Sequence, residues 1–68
     1  MSFGEIFKKF RLEVGLSQNE VAKRLGIHQS NVSDWENDIS RPEYEKLIQL
    51  SKIYGVSVSD LLGVDENF

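Results

Sequence analysis

The sequence predicts an all-α fold of five short helices, and three observations carry that expectation. A local pattern of apolar residue, capping residue, three further residues and a second apolar residue recurs four times along the chain. Gly15, Gly26, Gly55 and Gly63 each follow an apolar-periodic stretch, where a left-handed residue ends a helix without steric cost. No stretch of useful length alternates apolar and polar residues with period two, which leaves no candidate strand.

The first helix is expected over about 2–14. Ser2 can accept from a free first-turn N–H while Glu5 reaches back to the cap, and Phe3, Ile6, Phe7, Phe10 and Val14 recur on one face. The second, about 17–25, has Ser17 and Glu20 as its capping box and Val21, Ala22 and Leu25 as its inward face. The third spans about 28–36, with Val32 and Trp35 inward. Its cap is His28, a poorer capping residue than serine, so this start is the least defined. The fourth, about 42–54, places Pro42 at the first helical position, where its missing N–H does no harm, and offers Tyr44, Leu47, Ile48, Leu50 and Tyr54 to the core. The fifth, about 57–62, pairs Ser57 with Asp60 and contributes Val58, Leu61 and Leu62. The expected organisation is a single domain over 1–68 with a helix-turn-helix at 17–36.

The bulk numbers bound the function. A chain of 68 residues buries only about 60% of its unfolded surface, so well-formed helices or oligomerisation must supplement the core. There is no cysteine, hence no disulfide or thiolate metal site, and the one histidine, His28, cannot build a zinc site alone. No apolar run approaches the roughly 20 residues that span a bilayer, and no signal-peptide pattern opens the chain, so a soluble, cytoplasmic protein without a membrane partner is expected. Enzyme readings fail on inventory: no Gly-rich phosphate loop, no nucleophile with a recognisable base, no room for a pocket. No cofactor, metal or small-molecule ligand is called for. The net charge of −3 runs against the basic character usual in nucleic-acid readers, although five of the eleven acids lie after residue 40.

The second and third helices are the informative pair. A tight turn at Gly26 forces them to cross steeply, and the small Ala22 lets them approach. The third then projects a face of Gln29, Ser30, Ser33, Asp34 and Asn37, all hydrogen-bonding residues with no large apolar member. A major groove about 12 Å wide accepts such a helix, and base edges are read by donors and acceptors of this kind.

The run Leu16-Ser17-Gln18-Asn19-Glu20-Val21-Ala22-Lys23-Arg24-Leu25-Gly26-Ile27, followed by Val32-Ser33-Asp34-Trp35-Glu36-Asn37, resembles the Cro/phage-repressor, or XRE-type, helix-turn-helix family. Arg41-Pro42 and the closing segment from Leu50 to Leu62 resemble that family's last two helices, so the likeness covers roughly residues 3–62. It implies a compact five-helix lambda-repressor-like DNA-binding domain, acting as a homodimer on an inverted-repeat operator in double-stranded DNA, most often as a repressor. It also implies that Gln18 braces a phosphate and supports the reading helix. Gln29, Ser30 and Asp34 fall where family members touch bases, with Asn31 and Ser33 close behind. Ser17, Asn37 and Arg41 fall at backbone-contact positions, and Arg11 pairs with Glu36 in a way that turns the arginine toward DNA. Two features depart from the family pattern: no Arg or Lys stands between His28 and Asn37, and the cap of the third helix is His28 in place of Ser or Thr.

Other readings stand beside these. Trp35 belongs to the core, because it shares the apolar face of Val32. Lys9 and Lys23 could touch phosphates or simply decorate their helices, and Asp60, Asp65 and Glu66 form a solvated acidic end. Val56, Val58, Leu62 and the region after Gly63, with Phe68, supply apolar groups beyond what the core needs and are the expected dimer surface. The alternative from another class is a protein-interaction module on the same fold, an antitoxin or repressor antagonist with weak or no DNA binding, which the acidic balance and Asp34 would suit.

Overall fold

The computed structural model describes residues 1–63. It contains five helices: α1 (Phe3–Glu13), α2 (Gln18–Leu25), α3 (Gln29–Glu36), α4 (Tyr44–Tyr54) and α5 (Val58–Leu62). Three begin with reciprocal capping boxes, Ser2 with Glu5, Ser17 with Glu20 and Ser57 with Asp60, and each serine also accepts the backbone N–H of its partner. These bonds satisfy first-turn donors that would otherwise stay unpaired. α3 starts at His28 without any side-chain cap, as the poorer capping residue predicts. Gly26 takes φ 69° and closes α2, so the next helix turns away within two residues.

α1 packs on α3 and α5, α2 on α3 and α4, and α4 on α5. Phe7, Val21, Ala22, Leu25, Val32, Trp35, Leu47, Leu50, Tyr54 and Leu61 form one buried cluster, with Phe3, Phe10, Leu16 and Ile27 half-buried against it. Four expectations change. Pro42 is not the first residue of α4. Glu43 is the N-cap, with extended backbone, and the helix begins at Tyr44; the fixed φ of proline serves an extended approach as well as a first turn. Val14 is exposed, because α1 ends at Glu13 and Val14 folds its N–H back onto Phe10 and Leu12. Tyr44 (78% exposed) and Ile48 also stand outside the core. Periodicity marks a helix face but not whether a neighbour covers its first turn, and Ile48 lies one residue past the inward arc of Leu47, Leu50, Ser51 and Tyr54.

Val56, Val58 and Leu62, expected at a dimer surface, are half-buried and pack against the core. Phe68, Asp65 and Glu66 lie outside the described residues.

Among the glycines, Gly4 makes the closest approach to the backbone of another segment. A Cβ built there would lie 2.3 Å from the carbonyl oxygen of Glu36 and 2.8 Å from that of Trp35. Only a glycine lets the first turn of α1 rest on the end of α3 at this distance. Asp38, at φ 60°, then accepts the Gly4 N–H at 2.9 Å and ties the loop after α3 to the same turn. Hydrogen bonds from Ser2 and Gly4 hold its carboxyl below the usual aspartate range.

Candidate nucleic-acid interface

Val32, Trp35 and Glu36 are the buried residues of α3. At 100° per residue the opposite side is centred on Ser30, Asp34 and Asn37, with Gln29 and Ser33 toward one flank and Asn31 on the other. Gln29, Ser30, Asn31 and Asn37 are exposed, and Ser33 and Asp34 half-buried. The helix therefore presents a polar face with its apolar anchor beneath it. Asn37 donates to the Ser33 carbonyl at 2.9 Å and to the Ser33 hydroxyl at 3.3 Å, which closes the end of the helix.

A chain of polar contacts runs from the interior to this face. Arg11 donates from Nε to Glu36 Oε2 at 2.7 Å and from Nη2 to Oε1 at 3.0 Å, while Nη1 donates to the Leu16 carbonyl at 2.9 Å. The two side chains are 9% and 2% exposed, an unusual degree of burial for an ion pair in so small a domain. The Glu36 carboxylate, at hydrogen-bond distance, raises the Arg11 pKa and keeps the guanidinium charged. Gln18 Nε2 then donates to Glu36 Oε1 at 3.0 Å, and Gln29 Nε2 donates to Gln18 Oε1 at 2.6 Å. One buried charge pair thus orients two glutamines, the second on the reading helix. Bidentate geometry and satisfied lone pairs offset part of the desolvation cost of such a pair.

At the rim, Ser17 is engaged in its capping box. Arg41 is exposed and lies over the Phe3 ring, 4.2 Å from its centroid. That stack limits the guanidinium to few orientations beside the C-terminal end of α3. Lys9 lies 5.4 Å from the Phe10 centroid, and Lys23 is exposed on α2. Arg11, by contrast, is enclosed, so its visible work is to position Glu36 and Gln18. Gly4, Asp38 and the Phe3 platform had no place in the sequence reading; the available signals were a glycine inside a helical turn and an Asn-Asp pair after α3.

One expectation about cavities changes. A cleft of about 420 Å³ lies between Met1, Ser2, Phe3, Ile6, Asp38, Arg41, Leu62 and Gly63, where a chain this small was expected to leave no room. Among the described residues no group of three or more His, Asp or Glu could hold a metal ion, and no helix is long and apolar enough to cross a membrane.

A polar helix face, set by a glycine turn and braced from the core, is the arrangement of a helix-turn-helix, and the helix-turn-helix family model matches residues 7–61. The chain belongs to the Cro/phage-repressor, or XRE-type, helix-turn-helix family. It is 41% identical over 66 residues to the HTH-type transcriptional regulator ImmR of Bacillus subtilis (strain 168), which covers 97% of this chain and 52% of ImmR. The chain thus spans about half the length of that relative. The fold is similar to that of the P22 c2 repressor solved with a synthetic operator, with a TM-score of 0.88, 29% identity and coverage of 96% of this chain and 98% of the other. It is also similar to that of SinR, a master regulator of biofilm formation solved with DNA, with a TM-score of 0.80, 33% identity and coverage of 88% and 97%. The XRE-type helices thus account for the all-α, five-helix architecture from end to end of the described residues.

Proposed function

We propose that this protein is a sequence-specific, double-stranded DNA-binding transcriptional regulator, a repressor, that lays α3 in the major groove of an inverted-repeat operator. The observation that carries this reading is the exposed polar face of α3, braced through Gln29, Gln18 and Glu36 by buried Arg11. A reader must hold its side chains within a fraction of an ångström of base edges, and preorganised hydrogen bonds achieve that. Gln29, Ser30, Asn31, Ser33 and Asp34 supply the base contacts. Ser17, Gln18, Asn37 and Arg41 supply backbone contacts, with Arg11 acting mainly through Glu36. The P22 c2 repressor and SinR structures, each containing DNA, support DNA binding by this chain.

An eight-residue helix reaches only a few base pairs, too few for a strong specific complex. We therefore infer a homodimer that places two copies of α3 in successive major grooves about 34 Å apart. Uncapped N–H groups at the start of α3 and the neutral donors of Gln18 and Asn37 let a chain of net charge −3 hold phosphates without many cations.

Selection from a random duplex pool tests the reading. An enriched inverted repeat is the expected result, and Gln29→Ala should then relax preference at one base pair by about 1–3 kcal/mol. Equal weakening on every sequence would remove Gln29 from base readout. No shift of any duplex at high micromolar protein and low salt would favour the protein-interaction alternative.

A further inference from the structure

We propose that Asp34 is a specificity-determining residue of the half-site and that it selects a cytosine through its exocyclic amino group. This inference rests on the reading of α3 as the major-groove helix and adds the base it demands.

Asp34 is a residue that the protein itself gives little reason to keep. It lies in the last turn of α3, which holds no basic side chain, and a carboxylate there opposes the helix dipole. Among the described residues its carboxylate forms no ion pair, the one salt bridge being Arg11 with Glu36. No cation stands between His28 and Asn37 to neutralise it, and it is one of the eleven acids that bring the chain to −3. Its backbone is nonetheless firmly held. The Asp34 carbonyl accepts from Ile39 at 2.9 Å and from Ser40 at 3.4 Å, so the loop after α3 folds onto it. The side chain leaves from the centre of the outward face, one turn beyond exposed Ser30.

A carboxylate in that place has a narrow choice of partners, because it accepts and cannot donate. Phosphate oxygens repel it. Guanine shows two acceptors in the major groove, and thymine an acceptor beside a methyl group, so both are disfavoured. Adenine sets its amino group beside its own N7 acceptor. Cytosine offers the amino donor with no acceptor of its own beside it, and a charge-assisted bond to it satisfies the carboxylate. Asp34 thus lowers affinity for DNA in general and restores it only where a cytosine faces it. An acidic reader gains discrimination at the expense of non-specific grip.

The test uses the full chain and duplexes selected from a random pool, with wild type, Asp34→Ala and Asp34→Asn compared by fluorescence anisotropy after circular dichroism has verified each fold. Wild type should enrich one cytosine per half-site. Replacing it by thymine should weaken binding roughly 5- to 100-fold, whereas 5-methylcytosine, which keeps the amino group and adds only the methyl, should bind within about twofold. Asp34→Ala should lose the cytosine preference and bind random duplex more tightly than wild type. Asp34→Asn, which can both donate and accept, should move the preference at that position toward adenine. If Asp34→Ala keeps the wild-type preference at every position, or if 5-methylcytosine weakens binding as much as thymine does, the inference is overturned while the DNA-binding reading stands. If no variant enriches any duplex, both fall together.

Discussion

Removing Arg11 should do more damage than removing any exposed charge in this protein, and the geometry sets the scale. In Arg11→Met the Glu36 carboxylate, whose side chain is 2% exposed, loses both guanidinium bonds and keeps only the Gln18 amide. Breaking a buried pair from one side costs roughly 3–5 kcal/mol, because the remaining charge stays desolvated and unpaired. A domain of 68 residues has only about 3–10 kcal/mol of total stability at typical values per residue, so most of the margin disappears. Adding Glu36→Met removes the orphaned charge, and the double variant should recover to within about 1–2 kcal/mol of wild type or exceed it. Urea unfolding followed by far-UV circular dichroism and by the fluorescence of buried Trp35 measures all four corners of the cycle. Recovery of the fold should not restore recognition, because Gln18 no longer has Glu36 to hold it and Gln29 in turn loses its anchor. Duplex binding by the refolded double variant should therefore show weakened base preference. If Arg11→Met unfolds within about 1 kcal/mol of wild type, the pair is better solvated than its burial implies and the reasoning from desolvation fails. If the double variant is as unstable as the single one, packing and not charge is what Arg11 supplies.

Gly4→Ala sets local and tertiary effects against each other. Helix propensity favours alanine by up to about 1 kcal/mol, but its Cβ would meet the Glu36 carbonyl at 2.3 Å, so a net loss of roughly 1–3 kcal/mol and a Tm lower by about 4–20 °C are expected; an unchanged or higher Tm would deny the close approach. Arg41→Ala should weaken binding to all duplexes alike and reduce the salt slope by about 1. Phe3→Leu, which removes the ring beneath Arg41, should weaken binding uniformly with the slope unchanged, and an altered slope would mean that the stack does more than orient the cation. Glu5, Glu20 and Asp38 all have folded-state pKa values held below the unfolded ones by hydrogen bonds, Glu5 and Asp38 to Ser2 first and Glu20 to Ser17. Their contribution is full above the ordinary carboxylate range and is lost as pH falls through the lowered values, so Tm should decline progressively below about pH 4, less steeply in Asp38→Asn; a flat profile would contradict the capping geometry.

The helices and their order were legible in the sequence because they depend on neighbours a few residues apart. Serine with a carboxylate three places on starts a helix through bonds within one turn, and a left-handed glycine ends it, whatever the rest of the chain does. The same locality explains why Gln29, Ser30 and Asp34 could be assigned to one outward face: once Val32 and Trp35 turn inward, the helical repeat dictates the opposite side. The family resemblance supplied the Arg11–Glu36 pairing but neither its burial nor its continuation through Gln18 to Gln29, which needs three helices brought together in space. Tertiary packing likewise decided which apolar residues are covered. Val56, Val58 and Leu62 were left half-buried against the core and Tyr44 outside it. It also gave Gly4 its role, since the need for hydrogen in place of a methyl arises only when the end of α3 arrives from 32 residues away in the chain. Capping and periodicity act through bonds that a short segment makes with itself. Burial, close approach and the polarity of a shared face are properties of surfaces in contact, and those exist only after the segments have met.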